Sequence, residues 1–460
     1  MTQLSSETFA ENAKAALNDV QLRGALHKAT TIFGKKRREA AASLSDWEDL
    51  RSQARAIKDE VLLHLDQYLE AFVHEAERRG AKVHWAVDAA QANEIICRLT
   101  VERGARNVVK SKSMTTEEIH LNDALERAGM RVVETDLGEY IIQLAGETPS
   151  HILAPAIHKT KRQVAELFTA QLGIPPTDDV DQLTGAARAT LRERFATADV
   201  GISGVNFGIV ETGTLVIVEN EGNIRLTTSL PRTHIAVMGI EKLLPRFADL
   251  EVFLRLLPRS ATGQALSTYQ SFITGTKRNA DDEGPQELHI VLLDNGRSRM
   301  LAHPVTRQSL ACIRCGACLN SCPVYQQIGG HAYGAVYPGP IGSVITPQLV
   351  GIEKTAQLPY ASSLCGACRE VCPVKIDIPR LLLHLRGEIS ARQSTGRRRE
   401  RFAFKLWAMI MTRPWLYEKT AIAGRLFQRW FALPVKGWTS GRDLRPIEAE
   451  SFREHWRRTR

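Results

Sequence analysis

The chain has 460 residues, of which 60 are Lys or Arg and 51 are Asp or Glu, giving a formal net charge of +9. Hydrophobic residues make up 43% and charged residues 24%, which is typical of a folded chain of about two or three domains. This composition excludes a wholly disordered chain, a collagen and a disulfide scaffold. No apolar run is long enough to cross a bilayer, and the first residues lack a secretory apolar region, so we expect a cytoplasmic protein.

The first 75 residues predict helices, because apolar residues recur every three or four positions, most clearly between 61 and 80. The basic run KKRR at 35–38 is a pattern that nucleic-acid sites also use. No aromatic or glycine pattern accompanies it. We therefore interpret this run as a solvated helix face.

Residues 80–300 alternate between strand-like and helix-like segments. The predicted order is strand 83–89, helix 90–104, strand 107–112, helix 115–129 and strand 131–137. Thr115 followed by Glu118 predicts a capping box at the start of the second helix. Cys97 lies on the apolar face of the first helix and is interpreted as a buried structural thiol. This rhythm predicts an α/β domain whose parallel or mixed sheet is flanked by helices.

Two stretches of this domain suggest local sites. Lys110-Ser111-Lys112-Ser113 follows a strand and precedes a helix, a setting that suits either an anion or a simple capped turn. Glu211-Thr212-Gly213-Thr214 lies between two strand-like runs, and we interpret it as a β-hairpin connection.

Seven of the eight cysteines lie between residues 312 and 372, a clustering that indicates metal rather than disulfides. The first motif has the spacing C-x2-C-x2-C-x3-C-P of bacterial iron–sulfur proteins, and its cysteines are Cys312, Cys315, Cys318 and Cys322. The second motif repeats only the last three positions, with Cys365, Cys368 and Cys372, and holds Ser362 where the first cysteine is missing. Zinc fits this spacing poorly, because zinc sites favour ligands in pairs and often include His.

Crossed ligation follows by analogy with two-cluster ferredoxins, in which the cysteine next to proline serves the other cluster. Cluster one then takes Cys312, Cys315, Cys318 and Cys372, whereas cluster two takes Cys322, Cys365 and Cys368. The second cluster is either a [4Fe–4S] cluster completed by Ser362 or water, or a [3Fe–4S] cluster. No dinucleotide or Walker fingerprint is present, so we expect single-electron transfer to or from a partner.

From residue 373 onward the chain is strongly basic, with 20 Lys and Arg against eight Asp and Glu. Five of the seven tryptophans lie in this tail: Trp407, Trp415, Trp430, Trp438 and Trp456. Such a segment is a candidate for peripheral contact with the inner membrane face, for docking on a partner, or for packing on its own domain. The predicted division is a helical segment at 1–75, the α/β domain at 76–300, the cluster domain at 301–390 and the tail at 391–460.

The stretches VVKSKSMTTEEIHLNDALERAG, VVETDLGEYIIQL, PSHILAPAIHKTK and ETGTLVIVENEGN resemble the lactate-utilisation (LUD) domain. The two cysteine motifs and the YPGPIG segment between them resemble the α-helical ferredoxin module of the same proteins. Together, over about residues 60–390, they resemble the lactate utilization protein B family. The resemblance implies a LUD domain followed by a helical two-cluster domain, and its cluster ligands match the seven motif cysteines.

The resemblance further implies an iron–sulfur electron-transfer component that works with LutA-like and LutC-like partners in oxidising L-lactate to pyruvate. It brings no catalytic residue. One alternative is that the LUD domain itself oxidises a 2-hydroxy acid, with Lys110, Lys112 or Arg225 holding the carboxylate. Another is an iron–sulfur redox sensor that binds nucleic acid through the tail. No helix-turn-helix or aromatic–glycine RNA motif supports the sensor, so we expect no nucleic-acid partner.

Overall fold

The structure is a computed structural model that describes residues 5–279, 281–392, 398–430, 448 and 450–460. Residues up to Gly387 form one compact unit, and residues from Glu388 form a second. The sequence-based division at residues 75, 300 and 390 remains a prediction.

The first unit opens with four helices, as the periodicity predicts, and continues with alternating strands and helices. The α-helices in chain order are α1 (Phe9–Asn18), α2 (Val20–Ala42), α3 (Trp47–Leu63), α4 (Leu65–Arg78), α5 (Ala89–Glu102), α6 (Met114–Glu118), α7 (Leu121–Arg127), α8 (Leu137–Ala145), α9 (Lys161–Leu172), α10 (Val180–Ala196), α11 (Asn223–Ser229), α12 (Leu250–Ala261), α13 (Arg297–Ala302), α14 (Ala317–Asn320), α15 (Tyr325–Ile328), α16 (Gly339–Val350), α17 (Ala367–Glu370), α18 (Ile378–Arg392), α19 (Arg398–Met411), α20 (Pro414–Trp430) and α21 (Phe452–Thr459).

The strands belong to two sheets. They are β1 (Ala81–Ala86), β2 (Asn107–Lys110), β3 (Arg131–Glu134), β4 (Val200–Gly204), β5 (Phe207–Ile209), β6 (Thr214–Glu219), β7 (Thr233–Gly239), β8 (Leu243–Leu244), β9 (Tyr269–Ile273) and β10 (Glu287–Leu293).

The larger sheet has six strands in the order β1-β10-β7-β4-β2-β3, and every neighbouring pair is parallel. Helices cover both faces of this sheet, because successive side chains of β7 pack alternately into two different cores. Ile235 and Val237 pack into a core that includes α5, whereas Ala236 and Met238 pack into a core that includes α4. The predicted α/β domain with a parallel sheet between helices is therefore confirmed.

The second sheet has the order β8-β5-β6-β9, and β5 and β6 form the antiparallel hairpin predicted around residues 211–214. Gly213 closes the turn with a φ of 65°, a conformation that favours glycine. A Cβ at this position would lie 2.5 Å from the backbone nitrogen of Ala76 in α4. The hairpin therefore packs directly on α4, and glycine is needed for both the turn and the contact.

One predicted helix differs from the structure. The segment 115–129 forms two helices, α6 and α7, separated at His120, whose φ is 51°. The cap also differs, because Ser113 rather than Thr115 accepts the hydrogen bond from a backbone N–H, that of Thr116, at 3.3 Å. Thr115 itself lies inside α6 and is buried.

The second unit contains α19, α20 and α21. Its internal ion pairs join Arg425 to Glu454 at 3.3 Å and Arg457 to Glu418 at 3.0 Å. Three tail tryptophans have exposed side chains: Trp407, Trp415 and Trp456. Trp438 and the side chain of Trp430 lie outside the described residues. None of the helices that the structure describes is long and apolar enough to cross a membrane.

Candidate iron–sulfur site

The two cysteine motifs fold into loops with the same backbone conformation. Arg314 and Leu364, each just before a Cys-Gly-Ala-Cys sequence, have φ values of 60° and 56°. Gly316 and Gly366 follow with φ values of 71° and 86°, and each caps a four-residue helix, α14 or α17. A left-handed conformation costs a residue with a side chain about 1 to 2 kcal/mol. Its presence at matching positions indicates that both loops are shaped for the same kind of ligand.

Backbone N–H groups point at motif sulfurs in both loops. The N–H of Arg314 donates to Sγ of Cys312 at 3.4 Å, and the N–H of Ile376 donates to Sγ of Cys372 at 3.3 Å. Hydrogen bonds of this kind stabilise negative charge on a ligand sulfur and help to set the potential of a bound cluster. The loops therefore place a backbone donor at the sulfurs of Cys312 and Cys372.

The seven motif thiols form two groups. Within each group the charge on one thiol shifts the pKa of another. The first group contains Cys312, Cys315, Cys318 and Cys372. The second group contains Cys322, Cys365 and Cys368. Cys368 also acts on Cys318, so the two groups are neighbours. These are the sets that crossed ligation predicts, although the assignment of each thiol as a ligand stays a prediction.

Burial sets the chemistry of these thiols. It raises the pKa of Cys372 to about 11 and that of Cys368 to about 12, and nearby thiolate charges add to both shifts. Such thiols keep their protons at neutral pH unless a metal cation displaces them. A compact set of thiolates is the ligand type that iron–sulfur clusters require.

Three buried hydrogen-bond donors next to the thiols have no partner among the residues that the structure describes. They are the hydroxyl of Tyr333, Nε of Arg37 and Nη1 of Arg314. Each acts electrostatically on at least one motif thiol. A buried donor without an acceptor is costly, so these three indicate a negatively charged group between the motifs. The residues present therefore fit a bound cluster with its sulfides and thiolates.

Helices α2 and α3 hold the second motif in place. Arg51 donates from Nε and Nη2 to the carbonyl oxygen of Cys372 at 3.0 and 2.8 Å, and from Nη2 to that of Glu370 at 2.9 Å. Arg37 donates from Nη2 to the carbonyl oxygen of Val371 at 2.9 Å. The interpretation of the run at 35–38 as a solvated face is thus wrong for Arg37, which is buried. Arg37 lies on the same face of α2 as the buried residues Leu26, Thr30 and Gly34. Its three- or four-residue spacing from them is the feature of the sequence that predicts its burial.

A buried ion-pair network connects the first motif to the α/β domain. Arg297 contacts Oε2 of Glu241 at 2.7 Å and both carboxylate oxygens of Glu118 at 2.8 and 2.9 Å. Nη2 of Arg314 lies 3.7 Å from Oε1 of Glu241, and its guanidinium lies over the ring of Tyr337. The Tyr337 hydroxyl donates to Glu118 at 2.7 Å. The loop around Cys312 is therefore fixed through charge pairs that are largely buried.

A second link joins the α/β domain to α14. Nδ1 of His151 accepts the backbone N–H groups of Leu153 and Ala154 at 3.0 and 3.2 Å. Nε2 must then carry the proton and donate to Oδ1 of Asn320, at 3.1 Å. Burial lowers the pKa of His151 to about 3, so the ring is neutral. This contact fixes α14, the short helix that contains Cys318 and ends just before Cys322.

Lys110 is not a free cation. Its Nζ lies 2.8 Å from Glu134, 3.1 Å from Glu117 and 3.0 Å from the hydroxyl of Thr116. The side chain is fully buried, and its charge is neutralised within the domain. Of the two interpretations of residues 110–113, the capped turn therefore describes Lys110 and Ser113.

The other two candidate carboxylate holders, Lys112 and Arg225, have carboxylate or aromatic neighbours. Burial lowers the pKa of Lys112, and the carboxylates of Asp136 and Glu139 oppose that shift. The guanidinium of Arg225 lies 5.1 Å from the centre of the Tyr269 ring. A substrate carboxylate at Lys112 would have to compete with protein carboxylates.

Three family models match consecutive parts of the chain. The LUD domain matches residues 69–293, and the 4Fe-4S dicluster domain matches residues 308–376. A third model, "Lactate utilisation protein B, C-terminal", matches residues 384–460. Two iron–sulfur clusters are thus confirmed as the cofactors that this chain is built to hold, while the number of ligands to each remains a prediction.

Whole-chain relatives decide the family. "Lactate utilization protein B" of Anoxybacillus flavithermus is 42% identical over 465 residues, covering 98% of each chain. Its counterpart in Shouchella clausii is 43% identical over 462 residues, covering 98% of this chain and 97% of the relative. This chain belongs to the lactate utilization protein B family. An Escherichia coli relative, "Uncharacterized electron transport protein YkgF", is 41% identical and covers 99% of this chain and 97% of its own.

Tyr333 offers a test of cluster electrostatics in this member of the lactate utilization protein B family. Its hydroxyl is buried, unpartnered among the described residues, and close enough to act on Cys322 and Cys318. We expect Tyr333→Phe to lower the potential of a cluster by about 60 mV, because a hydrogen bond to sulfur favours the reduced, more negative state. EPR-monitored redox titration measures the shift.

Tyr325→Phe is the matched control for this test. The Tyr325 ring is equally buried, but its hydroxyl already donates to the carbonyl oxygen of Ser150 at 2.7 Å. An unchanged potential in Tyr333→Phe, or an equal shift in both variants, would contradict a bond from Tyr333 to the cluster.

Proposed function

We propose that this chain is the iron–sulfur electron-transfer component of a complex that oxidises L-lactate to pyruvate. The observation that carries the proposal is the pair of neighbouring thiol groups, whose members are mostly buried except for Cys365, which is exposed. Two adjacent one-electron centres suit a relay. Oxidation of lactate to pyruvate releases two electrons and two protons, and each cluster accepts one electron at a time.

In this proposal the four thiols of the first group hold one cluster: Cys312, Cys315, Cys318 and Cys372. The three thiols of the second group hold the other: Cys322, Cys365 and Cys368. When bound, the clusters supply reversible one-electron chemistry. The surrounding residues exclude water, and backbone N–H groups donate to the sulfurs of Cys312 and Cys372, which stabilises the negative charge that reduction adds.

Cationic side chains around the first group support the same role. Lys58 and Lys242 are buried, and burial lowers their pKa values to about 7 and about 8. A negative charge at Cys312 opposes both of these shifts, and it raises the pKa of Arg314. A cluster anion held by Cys312 would therefore keep these groups protonated, and their charge would favour the reduced cluster by Coulomb attraction.

The names of the relatives connect the family with lactate, and the resemblance implies LutA-like and LutC-like partners, so we assign lactate oxidation to a complex of the three. The buried and paired state of Lys110 disfavours a substrate carboxylate at that side chain, which supports a lactate site on a partner. Electrons then reach this chain at its surface, and the exposed Cys365 makes the second cluster the natural point of exchange.

The experiment uses the full chain purified without oxygen, alone and together with its LutA-like and LutC-like partners. We expect L-lactate to produce the EPR signals of reduced clusters only when the partners are present, and D-lactate serves as the stereochemical control. Reduction of the isolated chain by lactate would instead support oxidation by the LUD domain. Absence of reduction in the assembled complex would refute the electron-transfer role.

A further inference from the structure

Ser362 occupies the position in the second loop that Cys312 occupies in the first. Each lies three residues before a Cys-Gly-Ala-Cys sequence. The residue two positions further on adopts the same left-handed backbone in both loops, at Arg314 and Leu364. The two side-chain positions are therefore equivalent in the folded chain, as well as in the motif.

The hydrogen bonds at these two positions also match. The N–H of Arg314 donates to Sγ of Cys312 at 3.4 Å, and the N–H of Leu364 donates to Oγ of Ser362 at 3.1 Å. The shorter distance is that of an N–H···O bond in place of an N–H···S bond. The serine oxygen thus receives the same backbone donor that the first loop directs at a ligand sulfur.

A partly buried arginine, Arg386, fixes the peptide of Ser362. Arg386 donates from Nη2 to the carbonyl oxygen of Ser362 at 3.0 Å and from Nε to that of Pro359 at 2.9 Å. Its guanidinium also lies 5.0 Å from the centre of the Tyr360 ring. Ser362 is half-buried, whereas the neighbouring Ser363 is exposed. The segment is held so that one serine, and not its neighbour, faces inward.

We propose that Oγ of Ser362 is the fourth protein ligand of the second cluster, completing a site with three cysteines and one serine. This rests on the proposed function, which assigns Cys322, Cys365 and Cys368 to that cluster. On binding, the Ser362 O–H bond breaks and an Oγ–Fe bond forms. A water molecule leaves the same iron and carries the proton away as hydronium, so no electron is gained or lost.

An oxygen ligand has a consequence for the relay. Alkoxide is a harder donor than thiolate and favours the more oxidised iron. The second cluster therefore holds its electron less tightly than an all-cysteine cluster in the same loop would. This property suits a centre that passes electrons on, because it lowers the tendency of the cluster to retain them.

The test compares wild type, Ser362→Ala and Ser362→Cys as full chains purified without oxygen, with Ser363→Ala as the matched control. Iron and acid-labile sulfide are counted, and EPR spectra are recorded after reduction and after mild oxidation. Spectra in water labelled with ¹⁷O report whether solvent oxygen binds iron. We expect wild type and Ser363→Ala to hold about eight irons per chain, without ¹⁷O coupling.

We expect Ser362→Ala to show ¹⁷O coupling, or to lose about one iron on mild oxidation and give the EPR signal of a [3Fe–4S] cluster. Ser362→Cys should keep about eight irons and raise the potential of one cluster only. If Ser362→Ala does not fold, Ser362→Cys and the wild-type ¹⁷O spectrum still decide the question.

Three results would overturn the assignment: ¹⁷O coupling in wild type, a [3Fe–4S] cluster in freshly isolated wild type, or a Ser362→Ala chain identical to wild type. Each leaves two iron–sulfur clusters in place, so none of them touches the proposed function. A chain free of iron, or clusters that lactate and partners fail to reduce, would instead refute the proposed function itself.

Discussion

Replacing Cys372 by alanine should remove the cluster bound by the first motif, although Cys372 lies in the second. Cys372 belongs to the same electrostatic group as Cys312, Cys315 and Cys318, and its carbonyl oxygen is held by Arg51. We expect Cys372→Ala to lose about half of the iron, because a cluster deprived of one of four thiolates in a buried site is no longer retained. Iron analysis and EPR spin counting on anaerobic protein measure the loss.

The reciprocal variant, Cys322→Ala, tests whether each motif supplies one ligand to the other cluster. Cys322 lies in the first motif but groups with Cys365 and Cys368, so Cys322→Ala should remove the other cluster and leave the spectrum of the first. Cys97→Ala is the matched control, since Cys97 is a partly buried thiol that packs against the core of the sheet, far along the chain from both motifs. If each variant lost the cluster of its own motif instead, ligation would be uncrossed.

Local spacing explains why the cysteine loops could be predicted from sequence. Residues three apart in a short loop must face the same ligand, so C-x2-C-x2-C carries most of its geometry within seven residues. The same holds for the hairpin at Gly213, where a turn residue lies between two apolar runs. The parallel sheet followed from the alternation of strand-like and helix-like segments.

Contacts between distant residues could not be predicted in this way. Arg51 and Arg37 bind backbone carbonyl groups of the second motif across more than 300 positions of sequence. A single sequence shows only that an arginine lies on a helix, and exposed arginines are far more common than buried ones. The break at His120 was equally hidden, because its left-handed conformation lies in the middle of a segment with continuous helical periodicity.

In the second sheet, the sequence of β9 does not predict a strand clearly. Strand β9 is only partly buried along its length, so it lacks the clean alternation that predicts a strand with one buried face. It pairs with β6 from at least 50 residues away in the sequence. Tertiary pairing, rather than local preference, makes this segment a strand.

The buried network around Arg297 should be the most sensitive charged site outside the cysteine loops. Arg297 is 2% exposed and forms ion pairs with both Glu118 and Glu241. Arg297→Met keeps much of the apolar volume but leaves two buried carboxylates without their main partner. We expect it to lower the free energy of unfolding by about 3 to 5 kcal/mol, the usual cost of removing one member of a buried ion pair. The midpoint of anaerobic urea unfolding measures the change.

Arg299→Met is the control, because Arg299 lies exposed on the same short helix and its substitution should change the free energy of unfolding by less than about 0.5 kcal/mol.

A double variant separates the effect of charge from the effect of packing. Adding Glu118→Gln to Arg297→Met removes one of the unpaired carboxylates, so the double variant should recover part of the lost stability even though it lacks two native side chains. If the effects of the two substitutions on stability were simply additive, or if Arg297→Met were as stable as Arg299→Met, the network would not be what fixes the loop of Cys312 to the α/β domain.

Because Glu241 also contacts Arg314, we expect Arg297→Met to release iron from the first cluster faster than wild type during exposure to a chelator.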